Sequence, residues 1–229
     1  MNIDKEGDRE RLLRENGLAF FGAITASVSH ELNNIISIID QTGGLLDDLL
    51  AGARHGRPVE NERLQRIAES IACQVKRGEG VIGHLNTFAH SVDHQVQEFE
   101  INQLVGNITE LTRRFASLKR VHLETQPFDT PVTLQNNSFL VQQAVFLCIK
   151  QLLASAERED TITVSVEDDR SGVRLLIKAE PSRLKTDDLD LHYLELLTGY
   201  IGGTIELRDG SGAVVFELMV PHWRDPDNP

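Results

Sequence analysis

Apolar residues between Ser27 and Leu49 follow a helical rhythm. Val28, Leu32, Ile35 and Ile39 step by four, three and four, and Leu46 and Leu49 continue the same face. That is the seam of a helix packed coiled-coil fashion against a partner. Opposite it, Ser27, His30, Asn34, Ser37 and Gln41 form a polar stripe without apolar interruption. The pattern predicts one long helix from about Asp8 to about Leu50, locally weakened at Gly43-Gly44, with the polar stripe in solvent. The stretch Ala51 to Pro58 carries two glycines and a proline and reads as a turn. A second helix follows, with Leu64, Ile67, Ile71, Val75, Ile82, Leu85, Val92, Val96 and Phe99 near heptad spacing. The glycines Gly78, Gly80 and Gly83 within it mark close packing or a bend. Two such helices make an antiparallel hairpin, and two hairpins bury both faces as a four-helix bundle, so a homodimer is expected.

The rhythm changes after about Glu98. Asn102 is placed to cap a helix running to about Leu118. Alternation marks strands at Val121–Thr125 and Val132–Leu134, and a strongly apolar helix covers about Ser138 to Ala156. Strands follow at Thr161–Glu167 and Val173–Ala179, joined by a turn at Asp168 to Gly172. A helix from about Asp187 to Tyr200 ends at Gly202-Gly203, and a closing hairpin pairs Thr204–Arg208 with Ala213–Val220. This order predicts an α+β layer of helices on a mixed sheet. The expected organisation is a helical hairpin over residues 1–98, an α+β domain over 99–223 and a tail over 224–229.

A net charge of −12, with no local basic patch, argues against nucleic acid as a main partner. Cys73 and Cys148 both lie among apolar helical residues and are expected as small core or seam residues in a reducing compartment. The charge-dense start has no signal-peptide core, and no apolar run reads as a bilayer span. A cytoplasmic protein, not membrane-bound, is therefore expected.

The chemistry-bearing candidate is Ser29-His30-Glu31-Leu32-Asn33-Asn34. An exposed imidazole beside a carboxylate is a usable nucleophile near neutral pH. A lone surface histidine among eight would ordinarily be only solvated. The company of Glu31 and Asn34 on one amphipathic helix changes that. On the second helix, His90 and His94 have metal-ligand spacing, with His84 nearby, but no Glu or Cys completes a set, so no metal is assigned.

This stretch resembles the H-box of sensor histidine kinases, where a histidine and a glutamate open the phosphoacceptor motif on the first helix of a dimerising hairpin. Ile35 stands where the family usually has proline. The resemblance implies that His30 is the phosphoacceptor, that Glu31 orients or polarises its imidazole, and that Asn34 holds the position of a water-placing side chain. The later domain is similar in element order to the family's ATP-binding domain, but its nucleotide motifs are degenerate. Aligned on the helix Leu140 to Gln151, Lys150 takes the place of the magnesium-holding asparagine and Phe146 the preceding polar site. A charged lysine is no magnesium ligand. Ile177-Lys178-Ala179-Glu180-Pro181 replaces the adenine-reading Asp and its Gly-x-Gly turn. The glycine-rich phosphate loop would fall at Asp188-Leu189-Asp190-Leu191, where acids oppose phosphate, and the segment is too short for an ATP lid.

The resemblance therefore implies a histidine phosphotransferase of a two-component phosphorelay, relaying phosphoryl groups through His30 between receiver domains without its own ATP. It calls for no cofactor in this chain, with magnesium in the partner receiver. The expected partners are response-regulator receivers, a second copy of the chain and a hybrid histidine kinase. The competing expectations are a response-regulator phosphatase using Asn34 and Glu31, a non-catalytic receiver- or kinase-binding scaffold, and, last, a residual autokinase.

Overall fold

In the computed structural model, residues 3–169, 171–180, 191–210 and 213–222 are described. Helix α1 (Ile3–Arg54) and helix α2 (Asn61–Ala89) form the hairpin. Helix α1 starts earlier and ends later than its apolar rhythm predicts, and it passes through Gly43-Gly44 without a break. Arg54 complements the carbonyl end of the helix dipole. Gly56, at φ +79°, then reverses the chain, and Arg57 N donates to Gly52 O at 3.1 Å. The predicted seam is present, with Val28 and Ile35 buried against α2. Gly78 is buried beside Ile35, where an added Cβ would lie 3.8 Å from the Ile35 side chain, an ordinary contact.

Helix α2 is shorter than predicted. It ends at Ala89, followed by a 3-10 turn, His90–Val92, in which Ser91 Oγ donates to Phe88 O at 2.6 Å. Val92, Val96 and Phe99 therefore leave the heptad. Phe99 joins strand β1 (Gln97–Glu100), which spans the expected junction after residue 98 and pairs antiparallel with β3 (Thr133–Asn136), Phe99 opposite Leu134. Strand pairing in the second domain overrides helical periodicity here. Helix α3 (Ile101–Lys119) is capped by Glu100, whose carboxylate accepts from Asn102 N and Gln103 N at 2.9 and 2.8 Å. Asn102, the predicted cap, instead clamps Phe128, accepting from its N–H and donating to its carbonyl, both at 3.0 Å.

Strands β2 (His122–Gln126), β4 (Thr161–Asp169), β5 (Gly172–Glu180), β6 (Thr204–Gly210) and β7 (Ala213–Pro221) build a mixed sheet in the order β2-β4-β5-β7-β6. Only the β2–β4 pair is parallel among these described pairings. One face alternates Ile162, Val164, Val166 with Val173, Leu175, Ile177 and lies under helices α3, α4 (Ser138–Ser155) and α5 (His192–Tyr200). The other face carries ion pairs, with Arg174 reaching Glu217 at 3.0 Å and Asp169 at 3.1 Å. The fold is thus the expected α+β layer. Helix α4 is an exception to the expectation that no run matches a bilayer span. It is long and apolar enough by length and composition, yet 61% of it is buried inside the fold. The predicted start of the α5 helix near Asp187, parts of the turns at 168–172 and 209–212, and the tail lie outside the described residues.

The hairpin is fastened to the second domain by phenylalanines. Phe20 on α1 meets Phe88 edge-on at a centroid distance of 5.2 Å, Phe139 at 5.3 Å and Phe146 at 4.9 Å. Phe146 also meets Phe115 of α3 at 5.7 Å. Gly17 lies against the Phe139 ring, where an added Cβ would stand 3.4 Å from it. Each buried phenylalanine contributes about 1.5–3 kcal/mol, against roughly 0–1 for an exposed ion pair. The aromatic cluster therefore dominates the junction.

At the end of α5, Gly202 adopts φ +70° and Gly203 N donates to Thr198 O at 2.9 Å, the predicted helix stop. A Cβ on Gly203 would stand 2.1 Å from the Met219 carbonyl oxygen. Gly203→Ala is expected to lower stability in urea denaturation by about 1–3 kcal/mol. Gly83→Ala, with nothing within 4 Å of the added methyl, should instead raise it by about 0.5–1 kcal/mol.

Candidate functional site

Helix α1 presents the stretch Ser29 to Asn34 by phase. Ile24, Val28 and Ile35 point into the fold, and His30, two residues past Val28, emerges into solvent. Among the described residues no hydrogen bond or ion pair engages its imidazole, so the ring is sterically available. Ser29 Oγ and Ser37 Oγ are turned back onto the helix, donating to Thr25 O at 2.9 Å and Asn33 O at 2.8 Å. They therefore frame His30 without competing for it.

Glu31 is half-buried and forms an ion pair with Arg77 of α2. The antiparallel register of the hairpin brings this cation to the H-box. Asn34 is exposed, one turn on, at the rim of the same cleft. Ser27 departs from its predicted place in the solvent stripe. It is only 6% exposed and lines the cleft wall, because α3 packs over that side of α1. Glu31 and Asn34 thus share one concavity, while His30 lies outside its lining.

The cleft has a volume of about 500 Å3 and lies between α1, α2 and α3. Lys76 and Arg77 come from α2, and Glu110, Arg113 and Arg114 from α3. Arg113 forms a two-pronged pair with Glu110, its Nε donating at 2.9 Å. That hydrogen bond holds the Glu110 carboxyl below the usual range, against partial burial, which pushes it up. His84 is held by Asn107, whose Oδ1 accepts from the ring Nδ1 at 2.9 Å. His90 pairs with Asp93 at 2.8 Å, and His94 lies beyond the helix, so the expected one-turn spacing of His90 and His94 on α2 does not form. Among the described residues no cluster of three or more metal-ligating side chains occurs.

The basic residues of the cleft were not singled out from the sequence. Their signal is faint: Lys76-Arg77 and Arg113-Arg114 are paired cations in an acidic chain, but only the fold brings the two pairs together. In the second domain, Phe146 is buried within the aromatic cluster and Lys150 is exposed. Lys178 forms an ion pair with Glu180 in the segment that replaces the adenine-reading motif of the resemblance. The proposed phosphate-loop position at 188–190 lies outside the described residues. Cys73 is exposed, unlike the expected seam residue, because it lies on the outer side of α2. Cys148 is buried, which pushes its thiol pKa up.

No protein-family model matches the chain. It is similar to the sensor histidine kinase ZraS of Escherichia coli (strain K12), 22% identical over 215 residues, covering 93% of this chain and 43% of the relative. It is also similar to sporulation kinase A of Bacillus subtilis (strain 168), 20% identical over 178 residues, covering 77% of this chain and 28% of the relative. The chain thus spans under half the length of these curated relatives. Among solved structures, histidine kinase ThkA in complex with response regulator protein TrrA superposes with a TM-score of 0.51 at 18% identity, over 95% of this chain and 66% of that one. The helical hairpin, the helix-covered mixed sheet and these likenesses together make the chain similar in sequence and fold to the transmitter region of sensor histidine kinases, a helical hairpin followed by an ATPase-like α/β domain.

Proposed function

We propose that this chain is a histidine phosphotransferase in a two-component phosphorelay, with receiver domains of response regulators as its partners. The observation that carries the reading is a contrast within one molecule. Among the described residues His30 is exposed and unengaged on α1, whereas Phe146, which the resemblance aligns with a polar position of the ATP-binding helix, is buried between Phe20 and Phe115. An apolar ring locked in the core supplies neither a metal ligand nor a phosphate donor.

In the relay, an imidazole nitrogen of His30 attacks the phosphorus of a receiver's aspartyl phosphate. The N–P bond forms as the acyl oxygen–phosphorus bond breaks, and the aspartate leaves as its carboxylate. The reverse step, with a second receiver's aspartate as nucleophile, discharges His30. Catalysis is mostly positioning and charge neutralisation, with the divalent metal belonging to the receiver. Glu31, now tied to Arg77, orients the helix face beside the ring and becomes available to the imidazole proton when that pair opens.

The second copy of the chain completes the proposal. Ile36, Leu50, Val75 and Ile82 are 61%, 44%, 47% and 47% exposed on the hairpin, and a four-helix bundle would cover such positions. Sedimentation is expected to give a dimer that Ile36→Glu with Val75→Glu converts to monomer.

A second reading is favoured by the relatives, whose names are those of kinases: an ATP-dependent autokinase. Two measurements separate these. Incubated with a phosphorylated receiver, the wild-type chain should acquire label at His30, and His30→Ala should acquire none. Glu31→Gln should slow transfer by about 100-fold or more, and Asn34→Ala should leave transfer intact. Loss of receiver phosphate that survives His30→Ala but not Asn34→Ala would instead mark a phosphatase. Calorimetric titration with Mg-ATP should show no binding at micromolar nucleotide, and binding with label on His30 would establish the autokinase.

A further inference from the structure

The cleft beside the H-box gathers charge against the trend of the molecule. Four cations, Lys76, Arg77, Arg113 and Arg114, face it together with two carboxylates, Glu31 and Glu110, in a chain of net charge −12. Arg77 and Arg113 are answered by those carboxylates. Among the described residues, no carboxylate pairs with Lys76 or Arg114. Cations converging from two helices on one concavity repel each other, and an anion placed there removes that repulsion.

The remaining lining is apolar. Val28, Val81 and Leu111 form the wall, and Leu118, 69% exposed, stands at the rim. A volume of about 500 Å3 is that of a small-molecule site, which typically combines apolar walls with a few fixed polar groups. His84 supplies one such group, its ring fixed through Asn107. The walls come from both parts of the chain, so an occupant would touch α1, α2 and α3 at once.

We propose that this cleft binds a small organic anion, an apolar body carrying phosphate, sulfonate or carboxylate, and that its occupancy reaches the H-box through Arg77. Arg77 is the shared element. Its guanidinium lines the cleft and holds Glu31, the neighbour of His30. The pair is partly exposed, with side-chain exposures of 52% and 21%, and pairs of that kind are weak enough to exchange partners. An anion in the cleft competes with Glu31 for Arg77 and releases the carboxylate toward solvent and the His30 ring. The coupling to phosphoryl chemistry rests on the relay reading, whereas the binding does not.

The probe is 8-anilinonaphthalene-1-sulfonate, an aromatic sulfonate, titrated into the full chain and followed by fluorescence. Saturable binding at one site per chain is expected, weakening as salt is added. Lys76→Gln with Arg114→Gln should weaken it by about tenfold or more, with the circular dichroism spectrum unchanged. Arg63→Glu, exposed near the start of α2, should bind as the wild type does. Amide chemical shifts on addition should gather at Ser27, Gly80 and Ser117, and the Glu31 side-chain carboxyl carbon should shift with the same saturation. Inorganic phosphate at matched ionic strength should bind at least about tenfold more weakly, since it lacks the apolar body. Binding indifferent to the double variant, or shifts gathered on another surface, overturns the site. Equal binding of phosphate overturns the organic part of the ligand, and a silent Glu31 carboxyl overturns the coupling. None of these readouts requires phosphoryl transfer, so a failed relay and a failed cleft are told apart.

Discussion

The contact between Phe20 and the rings of Phe88, Phe139 and Phe146 is the constraint on which the arrangement depends. It joins a helix of the hairpin to the central helix of the second domain. Removing Phe20 would open a cavity bordered by both, and large-to-small changes of this kind cost about 3–5 kcal/mol. With the cluster in place, α3 lies over α1 and α2 and the cleft acquires its third wall. The same cluster takes Phe146 out of any polar role. One packing solution therefore shapes the cleft beside the hairpin and buries Phe146 in the same act.

The element order was largely legible because most elements follow local rules. The Val28 to Leu49 rhythm, the alternation of β4 and β5 and the glycine stop after α5 each rest on residues close in sequence. What misled were positions where a distant partner outbid a local pattern. Phe99 continues a heptad by spacing but is taken by Leu134, across a β-ladder. Asn102 has the chemistry of a cap but is spent on Phe128, and Glu100, a less favoured cap, takes over. Sequence periodicity carries no term for either competition.

For the candidate site, the stretch that resembles an H-box stands out because its pattern is local: a histidine, a glutamate and an asparagine within two turns of one helix. Ser27 was misplaced because its stripe faces solvent only until α3 is laid over it. Arg77 escaped notice for the complementary reason, since its partner Glu31 lies 46 residues away and only the hairpin register joins them. Charges that meet through tertiary folding leave little trace in spacing.

The unbroken course of α1 from Ile3 to Arg54 turns the direction of His30 into an angle. Ten residues separate Phe20, gripped by the aromatic cluster, from His30, roughly 15 Å along the axis. Successive residues advance by roughly 100° about that axis, so the clamp at Phe20 sets the azimuth at which the imidazole leaves the rod. A single residue inserted between Ile24 and His30 would leave both ends helical and swing the ring by roughly 100°, a little more than a right angle. The helix acts as an indexed shaft, and its keyway is a phenylalanine.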